Sequence, residues 1–161
     1  MTASDDRRPL LYLEDFAVGQ RFTTASYLLE ADAITAFAAQ FDPQPFHLSD
    51  AAARSSLFGG LAASGWHTAA VTMRLLVESG PRLAGGVIGA DAAVSWPKPT
   101  RPGDVLHVQS EVISITPSRS RPERGMMILR SDTYNQRGEI VQSLTANLVI
   151  RRRTANAIEE R

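Results

Sequence analysis

Phe58-Gly59-Gly60-Leu61-Ala62-Ala63-Ser64-Gly65 runs straight into Trp66-His67-Thr68-Ala69-Ala70-Val71-Thr72-Met73-Arg74-Leu75-Leu76-Val77-Glu78-Ser79 and stops at Gly80-Pro81. Within it Trp66, Ala69, Ala70, Met73, Leu76 and Val77 recur at the i, i+3, i+4, i+7, i+10, i+11 spacing of one apolar helix face. The spacing predicts a helix over residues 65–79, entered through a glycine-rich approach and ended by Gly80-Pro81. Trp66, Met73, Leu76 and Val77 are expected to face a sheet. Trp66, at the first turn, has a subunit interface as its alternative.

The flanking sequence supplies that sheet. Gln20 to Leu29, rich in Phe, Thr and Tyr, reads as one strand after the Val18-Gly19 turn. Ala31 to Phe41 reads as a helix that must end there, because Pro43 disfavours helical backbone at Asp42. Two prolines in Asp42-Pro43-Gln44-Pro45-Phe46-His47 predict a stiff, extended loop, and Ser49 or Asp50 can cap a short helix through Arg54. Beyond Gly80 the pattern is β. Ile88, Ala90, Ala92, Val94 and Trp96 alternate with smaller or polar residues until Pro97, Pro99, Pro102 and Gly103 break the run. Asp104–Ile115, Met126–Tyr134 and a last strand with Ile140, Leu144, Ala146, Leu148 and Ile150 on one face complete the set. A strand, then helices, then four closely spaced strands make an α+β protein: a curved antiparallel sheet of five or six strands against one long helix. One domain over 8–153 is expected, with flexible tails at 1–7 and 154–161.

Composition narrows function mainly by exclusion. The chain has 161 residues, and its 17 basic and 17 acidic residues cancel, so nothing points to nucleic acid or an anionic membrane surface. With no cysteine there is no disulfide framework, thiol nucleophile or Cys-zinc site, and three histidines without paired spacing leave no metal site expected. No apolar run approaches the roughly 18 residues that span a bilayer, and the N-terminus has no signal-peptide pattern; the cytoplasm is the expected compartment.

Chemistry concentrates in two places. Asp42 and His47 lie five residues apart between two helices. Asp42 follows a helix C-terminus, where the macrodipole disfavours an anion. That position, with burial against Phe41 and Phe46, is expected to raise its pKa and make it a better base. His47 supplies a group able to carry a proton near neutrality. A carboxylate and an imidazole around one water can activate it and deliver a proton elsewhere. Developing negative charge then needs donors, and the first-turn amides at Gly65 and Trp66, behind Ser64, are the candidates. Each residue also has a plainer reading: Asp42 as a turn residue, His47 as a loop residue, the glycines as packing devices. His67 and His107 read as structural, and Trp66, Met126 and Met127 as core. The run Arg151-Arg152-Arg153 reads as a solvated strand end, with attraction of a phosphate as its alternative.

Taken in order, Phe41-Asp42-Pro43-Gln44-Pro45-Phe46-His47, the approach Phe58 to Gly65, and Trp96-Pro97-Lys98-Pro99-Thr100-Arg101-Pro102-Gly103-Asp104 resemble the MaoC-like dehydratases, which include the R-specific enoyl-CoA hydratases. The resemblance spans roughly residues 10 to 152. It implies a hot-dog fold, with the sheet wrapped around the 65–79 helix, and an acyl thioester of CoA or acyl carrier protein as substrate. It also implies no metal or redox cofactor. It places the catalytic acid–base pair on Asp42 and His47 and the oxyanion and substrate contacts at Ser64, Gly65 and Trp66. Lys98, Arg101 and Arg151 are the basic groups near strand ends assigned to the CoA phosphates. Phe41 and Gln44 stand where the family signature usually has Gly and Asn, and Ser64 where His usually precedes the glycine; these differences bear on pocket shape and substrate.

The expected activity is reversible hydration of a trans-2-enoyl thioester, in which either Asp42 or His47 takes the first proton, by a homodimer or higher even oligomer that extends the sheet. Two rivals stand beside it. A hot-dog acyl-CoA thioesterase would attack the carbonyl and release free thiol. A non-catalytic thioester-binding module would bind without turnover and be indifferent to Asp42→Asn.

Overall fold

A computed structural model describes residues 7–153; the expected tails at 1–7 and 154–161 lie, but for Arg7, outside the described residues. The elements, in chain order, are β1 (Arg21–Thr23), β2 (Tyr27–Leu29), α1 (Ala31–Phe41), α2 (Pro45–Leu48), α3 (Asp50–Arg54), α4 (Gly65–Ser79), β3 (Gly89–Ser95), β4 (Asp104–Pro117), β5 (Arg124–Tyr134) and β6 (Ile140–Arg151). All six strands join one antiparallel sheet in the order β1-β4-β5-β6-β3, with β2 also on β4. The sheet wraps α4, which is the hot-dog arrangement expected.

The 65–79 helix has the bounds its sequence predicts, with Ser64 as its cap. Asp42 accordingly leaves helical backbone (φ −152°, ψ 67°) ahead of Pro43.

Three local expectations are corrected. Gln20–Leu29 is two short strands, because the Thr24 hydroxyl accepts the Val108 amide in place of a backbone carbonyl and shifts the register. The 42–47 loop is not extended throughout: Pro45, its φ preset for a first helical position, starts the single turn α2. The third concerns α4. Leu76 is buried as expected, but Trp66, Met73 and Val77 are exposed (61, 44 and 55%), and His67, Thr68, Val71, Thr72, Leu75 and Leu76 face inward. The sheet and the loop between β3 and β4 offer hydroxyl partners, so threonines turn in: Thr68 Oγ1 lies 2.9 Å from Thr100 Oγ1 in that loop, and Thr72 Oγ1 lies 2.7 Å from Thr133 Oγ1 on β5. The more apolar stripe is left facing out.

Leu29, Ile34, Leu106, Val108 and Val141, all at 0% exposure, pack with Val71, Leu75 and Leu76 as the core beneath α4. A bulge near the start of β6 puts Val141, not Ile140, into that layer. The segment before β1 is tied down too: Arg8 donates to the Gly80 and Val77 carbonyls at the C-terminus of α4. Leu106→Ala is expected to cost about 2–5 kcal/mol, because a fully buried side chain leaves a cavity its neighbours cannot fill. Urea unfolding checks it; a midpoint equal to wild type at unchanged slope would place Leu106 outside the core.

Candidate active site

Asp42 and His47 are brought together by the two-proline loop. The Gln44 amide donates to the Asp42 carbonyl (2.7 Å) and the His47 amide to the Gln44 carbonyl (2.9 Å), folding the chain back on itself. The resulting α2 turn buries His47 (4% exposed) with its Nδ1 2.7 Å from the Ala62 carbonyl. A carbonyl only accepts, so Nδ1 carries the proton, and Nε2 points at Asp42 Oδ2, 3.4 Å away. In the neutral ring those two atoms are both acceptors, an arrangement that a shared water or proton satisfies.

Asp42 has two further partners. Gln44 Nε2 donates to Oδ1 at 2.7 Å, and the fully buried Ser64 hydroxyl lies near enough to the carboxylate to help hold its pKa down. Burial pushes this carboxyl up. The bonds from Ser64 and Gln44 and the adjacent His47 charge together outweigh burial and hold it below its ordinary value of 3.8. The expected rise is thereby corrected: local donors, absent from any helix-dipole argument, decide the sign.

Ser64 also caps α4, its Oγ accepting the Trp66 amide at 3.3 Å, while the His67 and Thr68 amides donate to the Ser64 carbonyl. Of the first-turn amides, the Gly65 N–H alone is left without a protein acceptor among the described residues. Trp66 is therefore corrected as an amide donor to substrate; its N–H is occupied and its indole is exposed. Gly65 has no side chain for a reason the sequence does not disclose: a Cβ there would stand 2.6 Å from Cε2 of Trp96. Trp96 is fixed by a buried polar chain. Its Nε1 donates to Gln142 Oε1 (2.9 Å), Gln142 Nε2 donates to Thr72 Oγ1 (3.0 Å), and Thr72 meets Thr133.

His47 and Gly65 open on one cavity of about 240 Å³, walled by Phe58, Ala63, Thr68, Trp96 and the Lys98-Pro99-Thr100 segment. Asp42 stands one step behind this wall, against His47 and Ser64. Lys98 reaches the rim, where its ammonium is 2.6 Å from Glu139 Oε1; bonds from Lys98, Asn135 and Arg137 hold that carboxyl down at about 2. Arg101 is corrected as a phosphate ligand. Its guanidinium is spent on the Gly60, Leu61 and Phe58 carbonyls, pinning the approach to α4. Arg151 does not converge on the cavity within the protomer: it is exposed at the far end of β6. His67 is packed, stacked on Phe37 at 4.5 Å with its Nδ1 buried and unpaired, and burial lowers its pKa. His107 stacks on Tyr134 within the sheet.

Sequence reasoning passed over Gln44 and Ser64 as holders of Asp42, and Phe58, Thr68 and Thr100 as walls. The Asp-x-Gln spacing was a usable signal for Gln44. The walls carry none, since they come from three separate segments. Ser64→Ala removes a cap and a carboxylate donor at once. It is expected to cost about 0.5–2 kcal/mol of stability and to raise the Asp42 pKa, since a lowering bond is lost. NMR titration of the Asp42 carboxyl checks this, and an unmoved midpoint would sink the Ser64 bond. The linked stability runs the same way. A carboxyl lowered by folding stabilises the native state above its unfolded pKa near 3.8, and that stability fades as pH falls through the folded value.

Among the described residues no group of three or more His, Asp or Glu could hold a metal ion, and no helix is long and apolar enough to cross a membrane. Residues 15–127 match the family model described as the MaoC like domain. A MaoC-like dehydratase from Rhodospirillum rubrum has a crystal structure similar to this one (TM-score 0.88) at 64% identity, over 89% of this chain and 99% of that one. The Bacillus subtilis protein YdeM is 34% identical over 78% of this chain and 88% of its own length. A 3-hydroxybutyryl-CoA dehydratase of Methylorubrum extorquens is 31% identical over 70% of each. With more than half its length matched by that model, the chain belongs to the MaoC-like family.

Proposed function

We propose that this protein reversibly hydrates trans-2-enoyl thioesters of the acyl-CoA class. The observation that carries the reading is the His47 Nε2 to Asp42 Oδ2 separation of 3.4 Å, beside a cavity into which the Gly65 helix start also opens. A water held between the two gives one proton to the pair as its oxygen bonds to Cβ, and the pair returns a proton to Cα. The charge of the pair is the same before and after. The Gly65 amide takes the thioester oxygen, which carries the developing negative charge, in a walled space where a single donor counts heavily. Nothing in this sequence of steps calls on a metal or redox cofactor. The 3-hydroxybutyryl-CoA dehydratase relative supports a CoA thioester, dehydration being the same reaction reversed.

The test is a panel of trans-2-enoyl-CoA esters followed by loss of conjugated-thioester absorbance, with a thiol reagent present. Absorbance loss without thiol is the expected outcome. Thiol release would make the protein a thioesterase, and binding without either signal a non-catalytic module.

The active form in this reading is a homodimer. β3 is a sheet edge whose residues are small, with one charge, Asp91, and no proline, so its open backbone groups are unprotected. The outward stripe Trp66, Met73, Val77 starts at its end, where Trp66 packs edge to face on Trp96 at 5.3 Å. A second copy covers both. Light scattering should give twice the monomer mass at micromolar concentration; a stable monomer would remove this part of the proposal.

A further inference from the structure

Thr68 and Thr100 bring two hydroxyls to the wall of the His47 cavity, at 1 and 2% exposure, and the two meet only each other. One O–H donates to the other oxygen across 2.9 Å, which uses one of the two hydrogens. Neither hydroxyl has a second hydrogen-bond partner among the described residues. The Ser64 carbonyl, to which a helical threonine four residues on can back-bond, takes the His67 and Thr68 amides instead. One hydroxyl hydrogen is thus buried without a protein acceptor, an arrangement that is costly unless a ligand or water completes it. Two other hydroxyl pairs are buried, and neither stands in this wall. Thr72–Thr133 continues into Gln142 and the Trp96 tether, and Ser110–Ser131 joins β4 to β5.

Thr68 lies one turn along α4 from Gly65. Helical Cα–Cβ bonds tilt toward the N-terminus, so its side chain leans back toward the turn that the free Gly65 amide opens. Thr100 reaches the same place from the β3–β4 loop, where its carbonyl accepts the Ala63 amide at 2.9 Å, two residues ahead of Gly65. The unused hydrogen and the Gly65 N–H therefore share the wall of one cavity with His47.

We infer that the Thr68–Thr100 pair supplies a second hydrogen-bond donor to the thioester oxygen, beside the Gly65 amide. The inference rests on the hydratase reading for its chemistry. As water adds at Cβ, negative charge gathers on that oxygen, and a donor already in place strengthens its bond without rearrangement. Either threonine can serve, because whichever oxygen accepts within the pair keeps its own hydrogen free.

Valine has the shape of threonine without the hydroxyl, and it separates this role from a structural one. Thr68→Val or Thr100→Val leaves one hydroxyl whose hydrogen is free for substrate. Each single variant also strips that hydroxyl of its only protein partner, so each should unfold at lower urea than wild type. Thr68→Val/Thr100→Val leaves nothing unpaired and should recover stability. Activity runs the other way. On trans-2-butenoyl-CoA the double variant is expected to lose about 10²–10³-fold, falling on kcat more than on KM, as for one oxyanion donor. Each single variant keeps most of the wild-type rate. A double variant at wild-type kcat, or losses that follow stability and are worst in the singles, overturns the donor. A single variant as slow as the double overturns the sharing between the two threonines.

If wild type hydrates no enoyl ester, the hydratase reading has failed, and the donor is judged on butanoyl-CoA, which has no double bond to hydrate. Infrared difference spectra of the bound ester, isotope-labelled at the thioester carbonyl, read the donors directly, since each hydrogen bond lowers the stretching frequency. The carbonyl should absorb at higher frequency in the double variant than in wild type. Equal frequencies, or no bound ester, overturn the inference.

Discussion

Asp42→Asn or His47→Ala is expected to lower kcat for hydration of a trans-2-enoyl thioester by about 10²–10⁴-fold, the usual range for a lost general acid or base. Asn keeps the shape at position 42 and can still accept from Gln44 and Ser64, so thioester binding should change little. The double variant should be little worse than either single one, because two groups acting on one water act as a unit. His47→Ala also leaves the Ala62 carbonyl without its 2.7 Å partner, so its thermal unfolding must be compared with that of Asp42→Asn before the rates are. Stopped-flow absorbance with the single and double variants measures all of this. Wild-type hydration kinetics for Asp42→Asn would falsify the mechanism. Additive losses in the double variant would mean that the two groups act in separate steps.

Gly65→Ala should cost about 10²–10³-fold in kcat, the effect of losing one oxyanion donor. The added methyl meets Cε2 and Cδ2 of Trp96 at 2.6 and 2.8 Å, and that ring is tethered to Gln142, so the helix start must move and carry its one free amide with it. Alanine is otherwise the better helix residue by roughly 0.5–1 kcal/mol, so a loss of activity is not a propensity effect. Trp96→Phe in the Gly65→Ala background gives the methyl room and should recover part of the rate. Coupling between the two sites, read from the four-protein cycle, is the quantity to measure. If Gly65→Ala keeps wild-type kcat while the crystal structure shows the amide displaced, the amide is not the oxyanion donor.

The bounds of the 65–79 helix and the end of α1 before Pro43 were legible in the residues, because both rest on local rules: 3.6-residue periodicity and the steric demand of proline on its predecessor. So were the α+β order and the candidates Asp42, His47 and Gly65, whose spacing survives without coordinates. Which face of α4 turns inward was not legible. Apolarity favoured Trp66, Met73 and Val77, but the sheet presents Thr133 and Gln142 and the β3–β4 loop presents Thr100, and a hydroxyl that finds a partner is cheaper to bury than one that does not. The spending of Arg101 on loop carbonyls and the Trp96 ring over Gly65 depend on groups more than 20 residues away in sequence, and the direction of the Asp42 shift depends in part on one such group, Ser64. Local pattern carries no information about such meetings. They exist only once the sheet has closed around the helix.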